Sequence, residues 1–379
     1  MTTRIVFLVP DLDAAGDLSP LQALLDGLPS EQYDLHVLSF SNRSIAHLVE
    51  ESTSYEWTCI NRRSQSDPFA WWQFRSYLRR LQPQIIHLWQ PFDFGWTTLL
   101  TDILHRGTLA VSLQNPVSQL VEHPSLPTQL ICKRPYQFIT STSCLRDRLV
   151  EVGISDQQCA VIPSAVPLPM KTTGHSSLLA ELDLPAESRL IGNLDPMQSW
   201  KQIQDLIWIT AVLKVATDDI HLVMNGHGPQ RQRLQKFSRQ VEIQDHVHWI
   251  DEADHSARWL TGIDCYVSTT RHLGHSSGIL HAMAASLPVA ATDCPGNREL
   301  VTPRKHGLLA PHGDCGSLAR AIWKILDDTS LAQQLGKQAR QHVEHNYSID
   351  QMVHGHHEIY QTLPIGQTLS RLNHRIPLT

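Results

Sequence analysis

Residues 288–301, Pro-Val-Ala-Ala-Thr-Asp-Cys-Pro-Gly-Asn-Arg-Glu-Leu-Val, and residues 306–314, His-Gly-Leu-Leu-Ala-Pro-His-Gly-Asp, decide how this chain is read. The first apolar run has a strand's length and stops at Asp293. Pro295-Gly296 turns the chain, Glu299 opens a helix, and Gly307 to Pro311 form a second short apolar strand. Strand, turn, helix and strand in that order make one unit of a parallel α/β sheet.

The same rhythm extends over the rest of the chain. In the first half, strand-like runs are Arg4 to Val9, Asp34 to Phe40, Gln84 to Trp89, Leu109 to Leu113, Phe138 to Thr142 and Ala160 to Pro163. In the second they are Arg189 to Leu194, His221 to Gly226, Val247 to Asp251, Cys265 to Thr270, Pro288 to Asp293 and Gly307 to Pro311. Helix-length segments separate them, so each half reads as one Rossmann-like α/β domain. Pro163 to Pro169 is proline-rich and Lys171 to Ser177 is small and polar, which places a linker between the halves. The expected domains are 1–168, 169–345 and a late helix with tail, 346–379.

With 379 residues, 41% hydrophobic and 18% charged, the chain exceeds one core and reads as a soluble globular protein. A net charge of -6 gives no reason to propose nucleic acid as a partner. The apolar run Ile5 to Pro10 suits neither a signal peptide nor a membrane span, so a cytoplasmic place is expected. Seven scattered cysteines without a Cys-x-x-Cys pair argue against disulfides or a zinc ribbon. His354-Gly-His356-His357 is read as solvated helix histidines rather than a metal tract. Neither half carries Gly-x-Gly-x-x-Gly after its first strand, which disfavours a dehydrogenase.

Three segments carry candidate chemistry. Ile191-Gly192-Asn193-Leu194-Asp195-Pro196-Met-Gln-Ser-Trp200-Lys201 leaves a strand through Gly192 and enters a helix near Trp200. Asn225-Gly226-His227-Gly228-Pro229 ends the next strand, where glycine lets backbone approach a ligand. Leu273-Gly-His-Ser276-Ser277-Gly278-Ile-Leu-His281-Ala-Met-Ala284 begins a helix whose free N–H groups and dipole offer an anion site.

Together with 288–314, these segments resemble retaining GT-B glycosyltransferases, the family called group 1 or family 4. The resemblance implies two Rossmann-like domains facing a cleft, a nucleoside diphosphate sugar as donor, a glycan or lipid-linked acceptor, and no metal. The family pattern Gly-Arg-Leu-x-Pro-x-Lys has Asn193 in place of its arginine. Lys201 matches its lysine once an insertion after Pro196 is allowed; otherwise the position is Gln198. The pattern Glu-Gly-x-x-x-x-x-x-Glu-Ala-Met-Ala keeps its spacing, but its two acids read Leu273 and His281. A leucine cannot bond a sugar hydroxyl, whereas a neutral histidine can still reach a ribose. Each lost hydrogen bond to a charged group costs roughly 1.5 to 3 kcal/mol.

The resemblance therefore implies Lys201, Asn193 and His281 in the chemistry, with Gly16, Gly192, Gly226, Leu273, Ser276, Ser277, Gly278 and Glu299 around the donor. His87, Asn115 and His123 are weaker candidates for a base on the first domain, and a histidine inside a strand is more often structural. The primary reading is a hexosyltransferase acting with retention. A binding protein on the same fold, without turnover, is the alternative, and a sugar-nucleotide epimerase is a third. Asp67 to Leu81 is expected to be a helix with a core stripe Trp71, Phe74, Leu78 and Leu81. Arg75 and Arg79 share another face, for which a solvated surface is preferred to a membrane-docking one.

Overall fold

The computed structural model describes residues 2–9, 18–40, 55–62, 67–89, 94–105, 108–113, 130–131, 134–168, 173–226, 228–250, 257–271 and 273–364. The candidates Gly16, Asn115 and His123 lie outside them.

Among the described residues the first half forms a seven-stranded parallel sheet. Its strands are β1 (Thr3–Val9), β2 (Tyr33–Phe40), β3 (Glu56–Ile60), β4 (Ile85–Trp89), β5 (Thr108–Leu113), β6 (Gln137–Thr140) and β7 (Cys159–Val161), in the spatial order β3-β2-β1-β4-β5-β6-β7. Ile5 to Val9 are fully buried because helices cover both faces, which explains the unbroken apolar run. On one face Leu8, Phe40, Trp71 and Phe74 share a core. On the other, Phe7, Leu21, Leu24, Trp89 and Tyr360 do.

β3 was not among the expected strands. It is an edge strand whose first four residues are exposed or half-buried, so it lacks the apolar run that marks its neighbours. Parallel pairing with β2, His36 to Glu56 through Phe40 to Ile60, secures it instead.

The second half forms a six-stranded parallel sheet of β8 (Arg189–Asn193), β9 (Ile220–Asn225), β10 (Val247–Ile250), β11 (Cys265–Ser268), β12 (Val289–Asp293) and β13 (Gly307–Pro311), ordered β10-β9-β8-β11-β12-β13. The direction in which strands are added reverses between β8 and β11. At such a switch point the connecting loops part beyond the carboxyl ends of the strands and leave a crevice for a ligand.

The helices needed to place the site are α1 (Ser19–Gly27), α2 (Pro68–Leu81), α3 (Phe94–Leu104), α4 (Ser143–Glu151), α5 (His175–Glu181), α6 (Ile203–Ala216), α7 (Arg231–Gln240), α8 (Ser277–Ala284), α9 (Pro295–Leu300), α10 (Cys315–Asp327), α11 (Thr329–Asn346) and α12 (Ile349–Thr362). Asp67 caps α2 by accepting from the amides of Phe69 and Ala70, and Pro68 occupies the first turn, where its missing N–H costs nothing. Trp71, Phe74 and Leu78 of α2 are buried.

α12 lies against the first sheet although it follows the second in sequence. The His87 ring, buried in β4, joins Tyr360 Oη at 2.6 Å through Nδ1 and Ser112 Oγ at 2.6 Å through Nε2. His87 thus serves packing between a strand and a helix. The histidines of the 354–357 run divide, which corrects the expectation that all are solvated. His354 is exposed beside Glu358, whereas His356 is 2% exposed and His357 Nδ1 meets Tyr33 Oη at 2.9 Å. The cause is the docking of α12, which turns one side of that helix onto the first sheet.

Candidate donor site

β8 and β11 end side by side, and their last residues set the site. Gly192 is explained by packing rather than by ligand approach: a Cβ there would collide with Ile263 Cδ1 and lie 2.9 Å from Trp259. Asn193 turns inward. Its amide donates to Val267 O at 2.7 Å and to Asp195 Oδ2 at 3.4 Å, and its Oδ1 accepts from the Asp195 backbone N–H. An arginine at this position would project a charge; the asparagine instead ties β8 to β11.

Asp195 is the centre of the arrangement, with a side chain 1% exposed. Lys201 Nζ donates to its Oδ1 at 2.7 Å, Ser276 Oγ to the same oxygen at 3.1 Å, and Ser268 Oγ to Oδ2 at 3.4 Å. A buried carboxylate needs such donors, since an unpaired charge in that environment is strongly disfavoured. Lys201 itself is buried, in a 3-10 turn from Ser199 to Lys201 that leads into α6. Gln202 follows in a left-handed conformation, and Thr269 Oγ1 donates to the carbonyls of both Lys201 and Gln202.

α8 starts above this pair. Ser276 stands at its N-cap but makes no side-chain cap, because its hydroxyl is given to Asp195. The first-turn N–H groups therefore lack the usual serine acceptor, and half-buried Ser277 leaves that end reachable. Gly278 is required by its neighbours: a Cβ there would overlap the Tyr266 hydroxyl and come within 3.3 Å of Asp195 Oδ1. Gly226 closes the neighbouring strand end, its N–H bonded to Ile250 O, and Gly228 approaches Met197 backbone to backbone at a φ of +139° that favours glycine.

The other candidates face the first domain. His281 Nε2 lies 3.3 Å from Ser19 Oγ at the start of α1. Leu273 is half-buried and uses its carbonyl to accept from Thr142 Oγ1 at 2.8 Å. The carboxylate of Glu299 accepts from Ser143 Oγ at 2.8 Å and from the amides of Ser143 and Cys144. It thus caps α4 from across the domain boundary, with buried His275 at an ion-pair distance of 3.8 Å. Burial alone would push the Glu299 carboxyl up. Its neighbours His275, Ser143 and the Cys144 amide outweigh that and hold it below the ordinary range.

Lys201, Asn193, Ser276, Ser277, Gly278, Gly192 and Gly226 therefore converge on the carboxyl ends of β8, β9 and β11. His281, Leu273 and Glu299 form a seam with Ser19 and Thr142 to Cys144. The group that sequence reasoning passed over is Asp195. It stood two residues after Asn193 in the quoted segment, an acid in a loop that otherwise needs positive potential.

Comparison with known proteins bears on the family and the fold. The family model for glycosyl transferases group 1 matches residues 178–342, and that for glycosyltransferase family 4 matches residues 21–168. The lipopolysaccharide core biosynthesis glycosyltransferase LpsE of Rhizobium meliloti is 24% identical over 185 residues, which are 49% of this chain and 53% of that protein. The N-acetyl-alpha-D-glucosaminyl L-malate synthase of Bacillus anthracis is 23% identical over 186 residues, 49% of this chain and 48% of the enzyme. The chain thus spans about half the length of these curated relatives. Among solved structures, Anabaena HepE in complex with UDP and glucose superposes with a TM-score of 0.80 at 16% identity, covering 95% of this chain and all of that one. The sucrose-phosphate synthase of Thermosynechococcus elongatus gives 0.79 at 18% identity, over 95% and 98% of the two chains. With both halves matched in order and the two parallel sheets in place, the chain belongs to the group 1 glycosyltransferases of GT-B fold.

Proposed function

We propose that this protein transfers a hexose from a nucleoside diphosphate sugar to a glycan or lipid-linked acceptor, with retention at the anomeric carbon. The observation that carries the reading is the start of α8: a helix end without its serine cap, set beside Lys201 at the switch point of the second sheet. As the glycosidic bond stretches, negative charge grows on the departing diphosphate. N–H groups and a cation that meet it there stabilise the transition state more than the ground state. In this reading side chains and a helix end supply the positive potential and no metal is required.

His281 would reach the ribose, and Leu273 leaves the sugar without the acid that the resemblance implies at that position. The HepE complexes with UDP, glucose and UDP-glucose support a uridine donor as the first to try. Calorimetry with UDP, GDP and ADP, each with and without its hexose, tests the reading. Micromolar binding that strengthens with the sugar attached is expected. Binding of none of them would sink the reading, and binding of the bare nucleotide alone would favour a non-catalytic site. Substituting Leu273→Glu should then raise donor turnover, measured as sugar transfer or hydrolysis.

A lipid-linked acceptor would be met at a membrane surface, and the outer face of α2 suits one. Phe69 and Trp72 are 61% and 62% exposed with their rings stacked 5.8 Å apart. Arg75, Arg79 and Arg80 are exposed on the following turns, and a groove of about 380 Å³ runs between Trp72, Tyr77 and Arg80 and the edge strand residues Thr58 and Ile60. No helix among the described residues is long and apolar enough to cross a membrane. Amphipathic rings with arginines suit the headgroup layer instead, each arginine contributing about 1 kcal/mol at an anionic surface. Flotation with phosphatidylglycerol vesicles should carry the protein upward, and Trp72→Ser with Arg79→Ser should abolish that. Undiminished flotation of that double variant would exclude this face as the contact.

A further inference from the structure

We infer that Asp195 is a built-in counter-anion of the donor site: in the donor-free protein its carboxylate occupies Lys201, and donor binding exchanges that carboxylate for the diphosphate. The inference rests on the reading of this crevice as a nucleoside diphosphate site, and adds a residue that the resemblance does not assign.

Three observations carry it. Lys201 is a cation beside the switch point and is already satisfied, with Nζ 2.7 Å from Asp195 Oδ1 and both groups buried. Ser276 Oγ serves the same oxygen at 3.1 Å, so the residue at the N-cap of α8 is held by the carboxylate rather than by its own helix. The carboxylate also lies directly under the first turn of α8, 3.3 Å from where a Cβ of Gly278 would stand. An anion thus already rests at the positive end of that helix and against the cation next to it. These are the two features that a diphosphate would use.

The energetic consequence has a definite sign. A diphosphate that takes Lys201 must first give up part of the Lys201–Asp195 attraction, and it meets a helix end whose potential the carboxylate has partly cancelled. Asp195 therefore weakens resting affinity while keeping Lys201 and α8 assembled until a donor arrives. Ser268, Ser276 and Asn193 remain on the carboxylate after the exchange, so it is not left without donors.

Calorimetry with UDP, GDP and ADP on the full chain, together with thermal unfolding, tests this. Asp195→Asn is expected to tighten nucleotide binding about tenfold, the size of one hydrogen bond to a charged group. It should also lower the unfolding temperature without nucleotide and enlarge the shift that nucleotide produces. Lys201→Met should weaken binding. The double variant, which removes both charges and tolerates burial better, should bind more tightly than Lys201→Met alone, because the repulsion from an unpaired Asp195 is gone. It also gives a reading if Asp195→Asn alone does not fold. An Asp195→Asn variant that binds as weakly as Lys201→Met, or a double variant no better than Lys201→Met, would overturn the exchange while leaving the donor site standing. Absence of nucleotide binding by the unsubstituted protein would remove the donor site itself, and the exchange with it.

Discussion

Asp195 and Glu299 are both carboxylates that collect several hydrogen bonds, yet they do different work because their donors sit in different places. Among the described residues the side chains that donate to Asp195 all belong to the second half: Asn193 at the end of β8, Ser268 at the end of β11, Lys201 in the turn before α6 and Ser276 at the N-cap of α8. The donors to Glu299 come from Ser143 and Cys144, at the start of a helix of the first domain. The first arrangement shapes a crevice within one domain. The second, with His281 against Ser19, the Leu273 carbonyl against Thr142 and α12 on the first sheet, governs how the two domains meet. The contacts that order the candidate site within the second domain are thus a different set from those that join the two domains.

The largest effect that would break this contrast is expected inside the domain. Asp195→Ala leaves the buried Lys201 without its partner and should cost about 3–5 kcal/mol in urea unfolding. A loss below about 1 kcal/mol, the range of exposed pairs, would show that the pair is solvated and the contrast false.

The second effect concerns the docking of α12 on the first sheet. Burial holds the His356 ring at a pKa of about 4, well below the ordinary 6.5. A histidine depressed in the folded state contributes stability above its unfolded value, and that contribution is lost as pH falls from 6.5 toward 4. About 3 kcal/mol should therefore disappear over this window. The loss should be smaller in His356→Gln, and urea midpoints measured across the window would show it. Equal pH dependence in both proteins would place the acid sensitivity elsewhere.

Gly278→Ala sharpens the inner half of the comparison, since the added methyl meets the Tyr266 hydroxyl. A cost of about 1–3 kcal/mol is expected. Tyr266→Phe in the same chain should recover part of it, and failure to do so would mean that the collision is relieved by movement of α8.

The smallest effect belongs to the cap across the domains. Glu299→Gln should cost about 1 kcal/mol, as for a weakened N-cap, and should speed hydrogen exchange at the Ser143 and Cys144 amides while leaving those around Asp195 unchanged. Because the Glu299 carboxyl is held low, the contribution is present above its unfolded value near 4.5 and fades as pH falls through the folded one. Faster exchange in both regions would show that the two are coupled after all.

Much of this molecule is legible in its sequence. Unbroken apolar runs such as Ile5 to Val9 and Val289 to Ala291 mark strands covered on both faces, because parallel strands between helix layers have no solvated side to alternate with. The capped start of α2 at Asp67-Pro68 and its core stripe are local properties of the same kind. β3 escaped because an edge strand needs no such run, its position being set by pairing along β2. The site was legible as a group of positions but not as a set of contacts. Gly192 and Gly278 read as places for a ligand, yet their missing side chains make room for Ile263, Trp259 and Tyr266, residues that lie about 67 to 71 positions later or 12 earlier in the chain.

By itself, then, the sequence determined the two alternating α/β halves, the strand ends that carry the candidate residues, and the family resemblance, because burial on both faces and turn chemistry are written in neighbouring residues. Only the tertiary structure decided that Lys201 is held by Asp195, that Ser276 serves a carboxylate instead of its own helix, and that Glu299 reaches across to α4. The physical reason is that a carboxylate drawn away from water, fully for Asp195 and partly for Glu299, is met by whichever donors the fold brings near. Those donors come from segments separated by as many as 156 residues, as with Ser143 and Glu299.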